Sequence, residues 1–238
     1  MIELAAIDLA GTLVRDDGSV EGAFVDALRT VGVIADGVPD DGLVAVVRET
    51  MGRSKIAVFR EMLEDEKLAA AANDAFELAY ERRVRAGETS ALPGAEDALA
   101  RLRDDSLKIA VTTGFSARTR DVLLEALGWT TLVDLALSPT DELRGRPAPD
   151  LVLAAVIRLR VDEVRSVAVA GDTTNDLECG FRAGAGIVAG VLTGAHDRAA
   201  LETAPHTHIL ESIEDFPLLV RQFGSVEPQV SSAVLASD

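Results

Sequence analysis

The chain of 238 residues carries 40 acidic and 23 basic residues, which gives a formal net charge of -17. This acidic balance disfavours binding to nucleic acid or anionic membranes, because no surplus of Lys and Arg is available to neutralise phosphates. A single Cys excludes an internal disulfide framework. No signal peptide is predicted at the N-terminus, and no apolar run reaches the roughly 18 residues of a membrane helix, so we expect a cytoplasmic protein.

Apolar runs and helical periodicities alternate along most of the chain. Runs typical of strands lie at 2–8, 107–112, 132–137, 166–170 and 186–192, and helical patterns lie at 95–103, 116–127, 150–160 and 175–183. This alternation predicts an α/β fold with a doubly wound, mostly parallel sheet that carries helices on both faces. Ligands of such sheets bind beyond the carboxyl ends of the strands, so functional residues are expected just after each run.

Residues 15–91 interrupt the alternation. They contain no run typical of a central strand, and helical patterns cover 21–31, 41–63 and 66–85. We predict an all-helical cap domain at 15–91, a core domain formed by 1–14 and 92–224, and a flexible tail at 225–238. Two chain crossings close together are typical of a cap that moves over an active site. Helices that simply pack against the sheet are the alternative.

The first strand ends in Asp8-Leu9-Ala10-Gly11-Thr12. A carboxylate in this position costs several kcal/mol to bury unless it is paired or binds a metal ion. Asp8 can therefore be a nucleophile and a ligand of a hard cation, which the Ala10 carbonyl can also bind. Gly11 allows the backbone to approach a phosphoryl group. An aspartate that caps a tight turn is the alternative for this segment by itself.

A second acidic pair follows the run at 166–170. Asp172 comes directly after Gly171, and Asp176 follows four residues later, where the next helix begins. This spacing can direct both carboxylates to one cation, Asp172 directly and Asp176 through an ordered water, although Asp176 can also cap the helix. The strand ends converge in a parallel sheet, so we predict that Asp8, Ala10, Asp172 and Asp176 bind one Mg2+.

Two further segments can hold phosphate oxygens. Thr112-Thr113-Gly114 follows the run at 107–112, where a hydroxyl and backbone N–H groups at a helix N-terminus can bind an anion. An ordinary helix cap by Thr is the alternative. Arg146 lies between a glycine and a proline before the helix at 150–160, and its guanidinium suits a bidentate grip on phosphoryl oxygens. A solvated loop arginine is the alternative there.

In this order the four segments resemble the haloacid dehalogenase (HAD) superfamily over the whole chain. The nearest resemblance is to its phosphonatase branch, the phosphonoacetaldehyde hydrolases and phosphonatase-like hydrolases. That branch shares Asp-x-Ala-Gly-Thr, matched by Asp8, Ala10, Gly11 and Thr12, and has Arg, matched by Arg146, where other members usually have Lys. The resemblance implies a Rossmann-like core with a helical cap, Mg2+, and an aspartyl-phosphate intermediate on Asp8. We expect Ala10, Gly11 and Thr12 to bind phosphate and Arg146 to be a catalytic residue. Most of the superfamily has a proton-donating Asp at the position of Ala10.

The resemblance also implies a lysine on the cap. Residues 51–56, Met-Gly-Arg-Ser-Lys-Ile, are similar to the Met-Gly-x-x-Lys-Ile of phosphonatase, whose lysine forms a Schiff base with the substrate aldehyde. A carbon leaving group that departs as an enamine needs an electron sink and no acid, which explains Ala10. Phosphonatase has a His shortly after this lysine, whereas Ala57 and Val58 follow here. Lys55 then requires desolvation or neighbouring cations to lower its pKa, and a solvated helix Lys is the alternative.

We therefore interpret the chain as a Mg2+-dependent hydrolase that cleaves the carbon–phosphorus bond of a small phosphonate through Asp8, with Lys55 as the candidate Schiff-base residue. Two alternatives remain open: a phosphomonoester phosphatase, similar to phosphoglycolate phosphatases, that lacks the usual general acid, and a non-catalytic protein that keeps the fold. A monomer and a homodimer are both compatible with the sequence. The apolar stripe at 44–47 fits either a dimer contact or a helix that faces the core.

Overall fold

The computed structural model describes residues 1–35 and 41–225 and is built around one parallel sheet. Its strands are β1 Leu4–Asp8, β2 Lys108–Thr112, β3 Leu135–Leu137, β4 Val167–Gly171, β5 Ile187–Val191 and β6 His208–Leu210. They lie in the order β3-β2-β1-β4-β5-β6, and each neighbouring pair is parallel. This confirms the predicted doubly wound sheet. Because β1 lies between β2 and β4, the segments that follow these three strands meet at one edge.

Helices cover both faces of the sheet. Their bounds are α1 Ser19–Thr30, α2 Asp41–Glu49, α3 Lys55–Leu63, α4 Glu66–Arg85, α5 Ala95–Asp104, α6 Ala117–Ala126, α7 Asp150–Arg158, α8 Thr174–Ala183, α9 Arg198–Leu201 and α10 Phe216–Ser225. Successive residues of a strand point to opposite faces. Ala5 and Ile7 of β1 therefore pack in the core with α5 and α10, whereas Leu4 and Ala6 pack in the core with α7 and α8. Both faces being buried explains why the strands are apolar throughout.

Helices α1 to α4 lie between β1 and α5 in the chain, and the two crossings that bound them are paired. Val14 forms an antiparallel bridge with Ala91. The Arg15 N–H donates to the Ser90 carbonyl at 2.9 Å, and a matching bond at 2.9 Å joins the amide of residue 92 to the carbonyl of residue 13. The helical segment therefore leaves and re-enters the sheet region at one place.

An aromatic cluster holds these helices together. The rings of Phe24 on α1 and Phe59 on α3 stack with their centroids 4.2 Å apart, and Phe76 on α4 meets them edge-on at 6.0 and 6.3 Å. All three side chains are almost fully buried. Paired aromatic rings stabilise a core by more than their buried area alone provides. Helices α1, α3 and α4 are thus joined by aromatic side chains of their own.

The prediction of a single helix at 41–63 was wrong, because the chain turns between α2 and α3. Gly52 adopts a φ of 79°, which is rare for residues with a side chain, and the Arg53 N–H bonds to the Thr50 carbonyl at 3.2 Å. We call residues 50–54 the cap turn. Strand β6 and helices α9 and α10 were also not predicted. Strand β6 and helix α9 have three and four residues, which is too short to show a clear period.

Two other predictions, the apolar stripe at 44–47 and the tail at 225–238, fall partly on residues that the structure does not describe. In the stripe at 44–47, Val47 is buried and Val46 is exposed, while the side chain of residue 44 lies outside what the structure describes. Ser225 ends α10, and the remainder of the predicted tail, 226–238, also lies outside the described residues. No helix in the described ranges is long and apolar enough to cross a membrane.

The aromatic cluster makes a direct prediction about stability. Phe59→Ala removes a fully buried ring and leaves a cavity, so we expect the free energy of unfolding to fall by about 3–5 kcal/mol. Phe181→Ala is the matched control, because that ring is 61% exposed, and it is expected to change stability by less than about 0.5 kcal/mol. Urea denaturation followed by circular dichroism measures both. Equal effects of the two substitutions would contradict the cluster's role.

Candidate active site

Three carboxylates converge where β1 and β4 end. Asp8 is the last residue of β1, Asp172 follows β4, and Asp176 lies in the first turn of α8. All three are at most 4% exposed, and one oxygen from each lies within 4.8 Å of the others. Burial, and then the charge of the Asp8 carboxylate, raise the pKa of Asp172 to about 7. The sequence prediction that these three residues share one site agrees with their positions.

Arg146 balances part of this negative charge. Its Nη1 lies 2.7 Å from Asp8 Oδ1 and also forms an ion pair with Asp176 Oδ1. The side chain is 2% exposed, so the alternative of a solvated loop arginine is wrong. Its buried Nε has no hydrogen-bond partner among the described residues. One guanidinium does not neutralise three carboxylates, so the cluster keeps negative charge. Carboxylate oxygens are the ligands that a hard divalent cation prefers.

Asp172 is held by the loops that follow β1 and β5. The Thr12 hydroxyl donates to Asp172 Oδ1 at 3.2 Å, and the Ala195 N–H donates to Oδ2 at 2.8 Å. A Cβ at Gly11 would lie 2.3 Å from Asp172 Oδ2, and a Cβ at Gly194 would lie 2.0 Å from the same oxygen. Only glycine therefore fits at these two positions. Thr12, which the sequence indicated as a phosphate ligand, instead supports Asp172 from the protein interior.

Asp176 has two roles at once. Its Oδ2 accepts hydrogen bonds from the N–H and the hydroxyl of Thr173, and its own N–H bonds to the Thr173 hydroxyl oxygen at 3.3 Å. This reciprocal pair is a capping box at the start of α8. The other oxygen, Oδ1, faces Arg146. Helix capping and membership of the acidic cluster, which were alternatives in the sequence, thus occur together.

The segment 112–114 contributes less than its sequence suggested. Thr113 and Gly114 line the cavity described below, but Thr112 does not. The Thr113 N–H is already bonded to the Leu137 carbonyl at 3.1 Å. The side chain that caps α6 is Ser116, so neither the helix N-terminus nor a Thr cap falls on this segment. The Thr113 hydroxyl oxygen accepts the Phe115 N–H at 3.2 Å.

Lys55 is a buried lysine at the first position of α3. It is 7% exposed, its N–H bonds to the Gly114 carbonyl at 3.3 Å, and its Nζ lies 6.0 Å and 5.9 Å from the ring centroids of Phe76 and Phe115. The alternative of a solvated helix lysine is therefore wrong. Burial is the main cause that lowers the pKa of the Lys55 ammonium to about 8, and the nearby negative charge of Asp16 opposes this shift.

The arginines next to Lys55 in sequence are engaged elsewhere. Arg53 forms an ion pair with Glu61 at 2.6 Å, and Arg60 forms one with Glu66 at 2.6 Å. The cation that does lower the pKa of Lys55 is Arg146, which acts more weakly than burial. Desolvation, one of the two routes that the sequence left open, is therefore the dominant one.

The cap turn rests on the loops of the sheet. The Asn175 side chain, on α8, donates to the Met51 carbonyl at 2.9 Å. A Cβ at Gly114 would lie 2.3 Å from the carbonyl oxygen of Arg53, so the two backbones meet where a side chain cannot fit. The hydrogen bond from the Lys55 N–H to the Gly114 carbonyl adds to these contacts. Together they fix the start of α3 relative to the strand ends. The position of Lys55 is thus set by contacts distant in sequence.

A cavity of about 260 Å³ connects these groups. Asp8, Lys55 and Arg146 line it together, which brings the three predicted catalytic residues to one space. Sequence reasoning missed other lining residues, among them Asp16 and the loop at 193–195. The loop follows the run at 186–192, so the rule that functional residues follow strands could have found it. This rule does not indicate Asp16, because Asp16 does not directly follow a strand and lies beyond the turn after β1.

Comparisons with known proteins find similar hydrolases. A family model for haloacid dehalogenase-like hydrolases matches residues 2–184. The chain is 30% identical to Probable phosphatase IndB of Dickeya dadantii, over 90% of the chain and 92% of that protein. It is 29% identical to a phosphonoacetaldehyde hydrolase of Bacteroides fragilis, over 94% of the chain and 97% of that protein.

Solved structures give the same fold. A hydrolase from Pseudomonas syringae superposes with a TM-score of 0.80 at 24% identity, covering 95% of this chain and 100% of that one. A phosphonoacetaldehyde hydrolase-like protein from Oleispira antarctica superposes with a TM-score of 0.77 at 22% identity, covering 93% and 92%. The family model spans most of the chain, and the carboxylate cluster lies where the parallel strands end. The chain belongs to the haloacid dehalogenase-like hydrolases.

Proposed function

We propose that this hydrolase cleaves the carbon–phosphorus bond of a small phosphonate that carries an aldehyde. The observation that supports this reaction is Lys55, a buried lysine with a lowered pKa that lines the same cavity as Asp8. An amine in this state is available as a nucleophile towards a carbonyl carbon near neutral pH. Ala10, in contrast, has no proton to give to a leaving oxygen. The similar protein of Bacteroides fragilis is named a phosphonoacetaldehyde hydrolase, and phosphonoacetaldehyde is a small phosphonate that carries an aldehyde.

We further propose that residues 15–91 act as a cap over the core formed by 1–14 and 92–224. The paired crossings at Val14 and Ala91 provide a hinge, and the cap turn contacts the loops that follow β2 and β4. A closed cap excludes water and keeps the Lys55 amine over the strand ends. The substrate is expected to bind in the cavity, between the cap turn and the acidic cluster.

The phosphoryl half of the reaction belongs to Asp8. Its carboxylate attacks phosphorus and forms an aspartyl-phosphate, while Arg146 holds phosphoryl oxygens. The carboxylates of Asp8, Asp172 and Asp176, with the Ala10 carbonyl, would hold Mg2+. When bound, Mg2+ neutralises the charge of the phosphoryl oxygens and orients them. The backbone at Gly11 and at residue 114, with the Thr113 hydroxyl, completes the proposed phosphoryl site.

The carbon half belongs to Lys55. Its neutral amine attacks the aldehyde carbon, and the resulting carbinolamine loses water to form a cationic imine. As Asp8 attacks phosphorus, the carbon–phosphorus bond breaks. Its electron pair forms a double bond to the former aldehyde carbon, and the electrons of the C=N bond move to nitrogen. The cationic imine thereby becomes a neutral enamine. Protonation of the enamine and hydrolysis then release an aldehyde, and hydrolysis of the aspartyl-phosphate releases phosphate. No step needs a proton donor at position 10.

A phosphomonoester phosphatase is the second candidate. It is favoured by the similarity to Probable phosphatase IndB and by the absence of a histidine shortly after Lys55. Without the acid usually found at the position of Ala10, such a phosphatase is expected to be slower by roughly 10²- to 10⁴-fold than members that have it. The two candidates share Asp8 and differ in their need for Lys55.

The first prediction from the proposed function concerns Lys55. Lys55→Arg keeps the charge but cannot form an imine, so cleavage of phosphonoacetaldehyde is expected to fall to background, while any hydrolysis of p-nitrophenyl phosphate persists. Lys67→Arg, at an exposed lysine, is the matched control and should leave both activities unchanged. Phosphate release measures both reactions. Full phosphonate cleavage by Lys55→Arg would exclude the Schiff base, and activity in Asp8→Asn would exclude both candidates.

The second prediction concerns Asp172 and pH. Its pKa is about 7 in the metal-free folded protein and about 3.9 in an unfolded chain, so the folded state holds more protons between these values. The stability of the metal-free protein is therefore expected to fall as pH rises from about 4 to about 7. Mg2+ binds ionised carboxylates and should restore stability at pH 8.

Melting temperatures at pH 5 and pH 8, with and without Mg2+, test this expectation. Asp172→Asn should remove much of the pH dependence and of the stabilisation by Mg2+. Asp162→Asn, which changes an exposed carboxylate, should behave as the unmodified protein does. Indistinguishable Mg2+ responses in the Asp172 and Asp162 variants would argue against the metal site.

A further inference from the structure

The burial of Lys55 depends on the position of the cap turn, residues 50–54, against the core. Helix α2 ends at Glu49, and Lys55 begins α3 directly after the turn. Backbone carbonyls at or beyond a helix end have no partner within that helix, and they pair with other groups when they are shielded from water. The Met51 carbonyl has its partner on the core, where the Asn175 side chain donates to it at 2.9 Å.

Asn175 is available for this contact because the residues around it already cap α8. Thr173 is the cap of that helix, and Asp176 completes the capping box and belongs to the acidic cluster. The start of α8 therefore does not need the Asn175 side chain. Asn175 is the second residue of α8, and its amide reaches a carbonyl 124 positions away in the chain. The first turn of α8 thus joins the acidic cluster to the cap turn.

The cap turn and the start of α8 meet without room for a side chain. Gly52 has a φ of 79°, and a Cβ at this position would lie 2.6 Å from Thr173 Oγ1. Steric contact of this kind excludes closer approaches, but it does not prevent the two surfaces from separating. A hydrogen bond does oppose separation, because it weakens steeply beyond its short range of distances and angles. Asn175 supplies such a bond to the cap turn.

Lys55 follows this contact closely in the chain. It begins α3 directly after the turn, its N–H bonds to the Gly114 carbonyl at 3.3 Å, and its Nζ lies 5.9 Å from the centroid of the Phe115 ring. A shift of the turn away from α8 would carry Lys55 away from these groups and admit water to its amine. Asn175 itself does not line the cavity, so it acts on the lysine through the turn.

We propose that Asn175 is a positioning residue, whose hydrogen bond holds the cap turn on the core and keeps Lys55 in the cavity that Asp8 lines. The benefit of this position for imine formation rests on the function proposed above, whereas the contact itself does not. Because Asn175 directly precedes Asp176, one turn of helix holds both the acidic cluster and the cap turn. This turn keeps the groups of the two halves of the proposed reaction at a fixed separation.

Asn175→Ala is the substitution that tests this role, because it removes the amide donor and changes no charge. Asn73→Ala is the matched control. Asn73 is the other asparagine of the chain, and its side chain donates to Glu77 at 2.9 Å within α4. Circular dichroism and melting temperatures establish that both variants fold.

The readout is the rate at which acetic anhydride acetylates Lys55, measured by peptide mass spectrometry between pH 6 and pH 11. Only the neutral amine reacts, so the pH profile reports the pKa of this lysine, which burial lowers to about 8. In Asn175→Ala water reaches the amine, and we expect the pKa to rise by roughly one unit towards its ordinary value. Asn73→Ala should give the profile of the unmodified protein, and the exposed Lys67 is the internal reference.

The charges around Lys55 are the same in every variant. The charged groups that face it are those of Asp16, Arg146, Asp8 and Asp172. A change in its pKa therefore reports hydration of the amine. At pH 7 a rise of one unit leaves roughly tenfold less neutral amine, so cleavage of phosphonoacetaldehyde is expected to fall by roughly 10-fold and to recover as pH rises.

Gly52→Ala reaches the same contact from the cap. Its Cβ would press on Thr173 and lift the turn from α8, so the pKa of Lys55 should rise as it does in Asn175→Ala. Gly32→Ala is the control for backbone strain, because Gly32 has a φ of 74° and its Cβ would meet no described atom within 4 Å. This control should leave the Lys55 profile unchanged.

The outcomes separate a failure of this role from a failure of the proposed function. Identical Lys55 profiles in Asn175→Ala and the unmodified protein would overturn the role of Asn175 and leave the proposed function intact. An acetylation rate that changes by the same factor at every pH would also overturn it, because the pKa of Lys55 would then be unaltered. If the profile shifts but the unmodified protein does not cleave phosphonoacetaldehyde, the proposed function fails and the positioning role stands.

Discussion

The candidate active site depends on one electrostatic constraint, the burial of three carboxylates around a single guanidinium. Buried charges of like sign are costly unless positive charge and hydrogen bonds compensate them. Arg146 supplies one positive charge, the capping box and the amide of residue 195 supply hydrogen bonds, and a deficit of positive charge remains. Glycines at 11 and 194 then allow two loops to close on Asp172. The surrounding loops thus supply the arginine, the hydrogen-bond donors and the glycines that the burial of this cluster requires.

The parallel sheet explains why much of this cluster could be predicted. Strand ends converge in such a sheet, so a carboxylate after β1 and another after β4 must lie near each other once the strand order is known. Asp8 and Asp172 follow from this rule. The short elements β6 and α9 could not be predicted, because three or four residues are too few to show a hydrophobic period. The break between α2 and α3 was missed because Gly52 is one residue within an otherwise helical pattern.

The burial of Lys55 could not be predicted from local sequence. It arises from Phe76, 21 positions further along the chain, and from Phe115 and the Gly114 carbonyl, which belong to the loop after β2. A sequence motif can indicate a lysine, but its pKa depends on groups brought together only by the tertiary fold. The same holds for Asp16, whose place in the cavity depends on how the first crossing leads into α1.

Ala10 and Lys55 are linked by electrostatics as well as by chemistry. Both line the cavity, and Lys55 is already surrounded by the carboxylates of Asp8, Asp16 and Asp172. Each of these charges favours the ammonium form, and only burial and Arg146 oppose them. A further carboxylate at position 10 would stabilise the ammonium again and raise its pKa, so the neutral amine would be scarcer. In the proposed mechanism, a carboxylate at position 10 would therefore oppose the imine-forming role of Lys55, and alanine at this position avoids that effect.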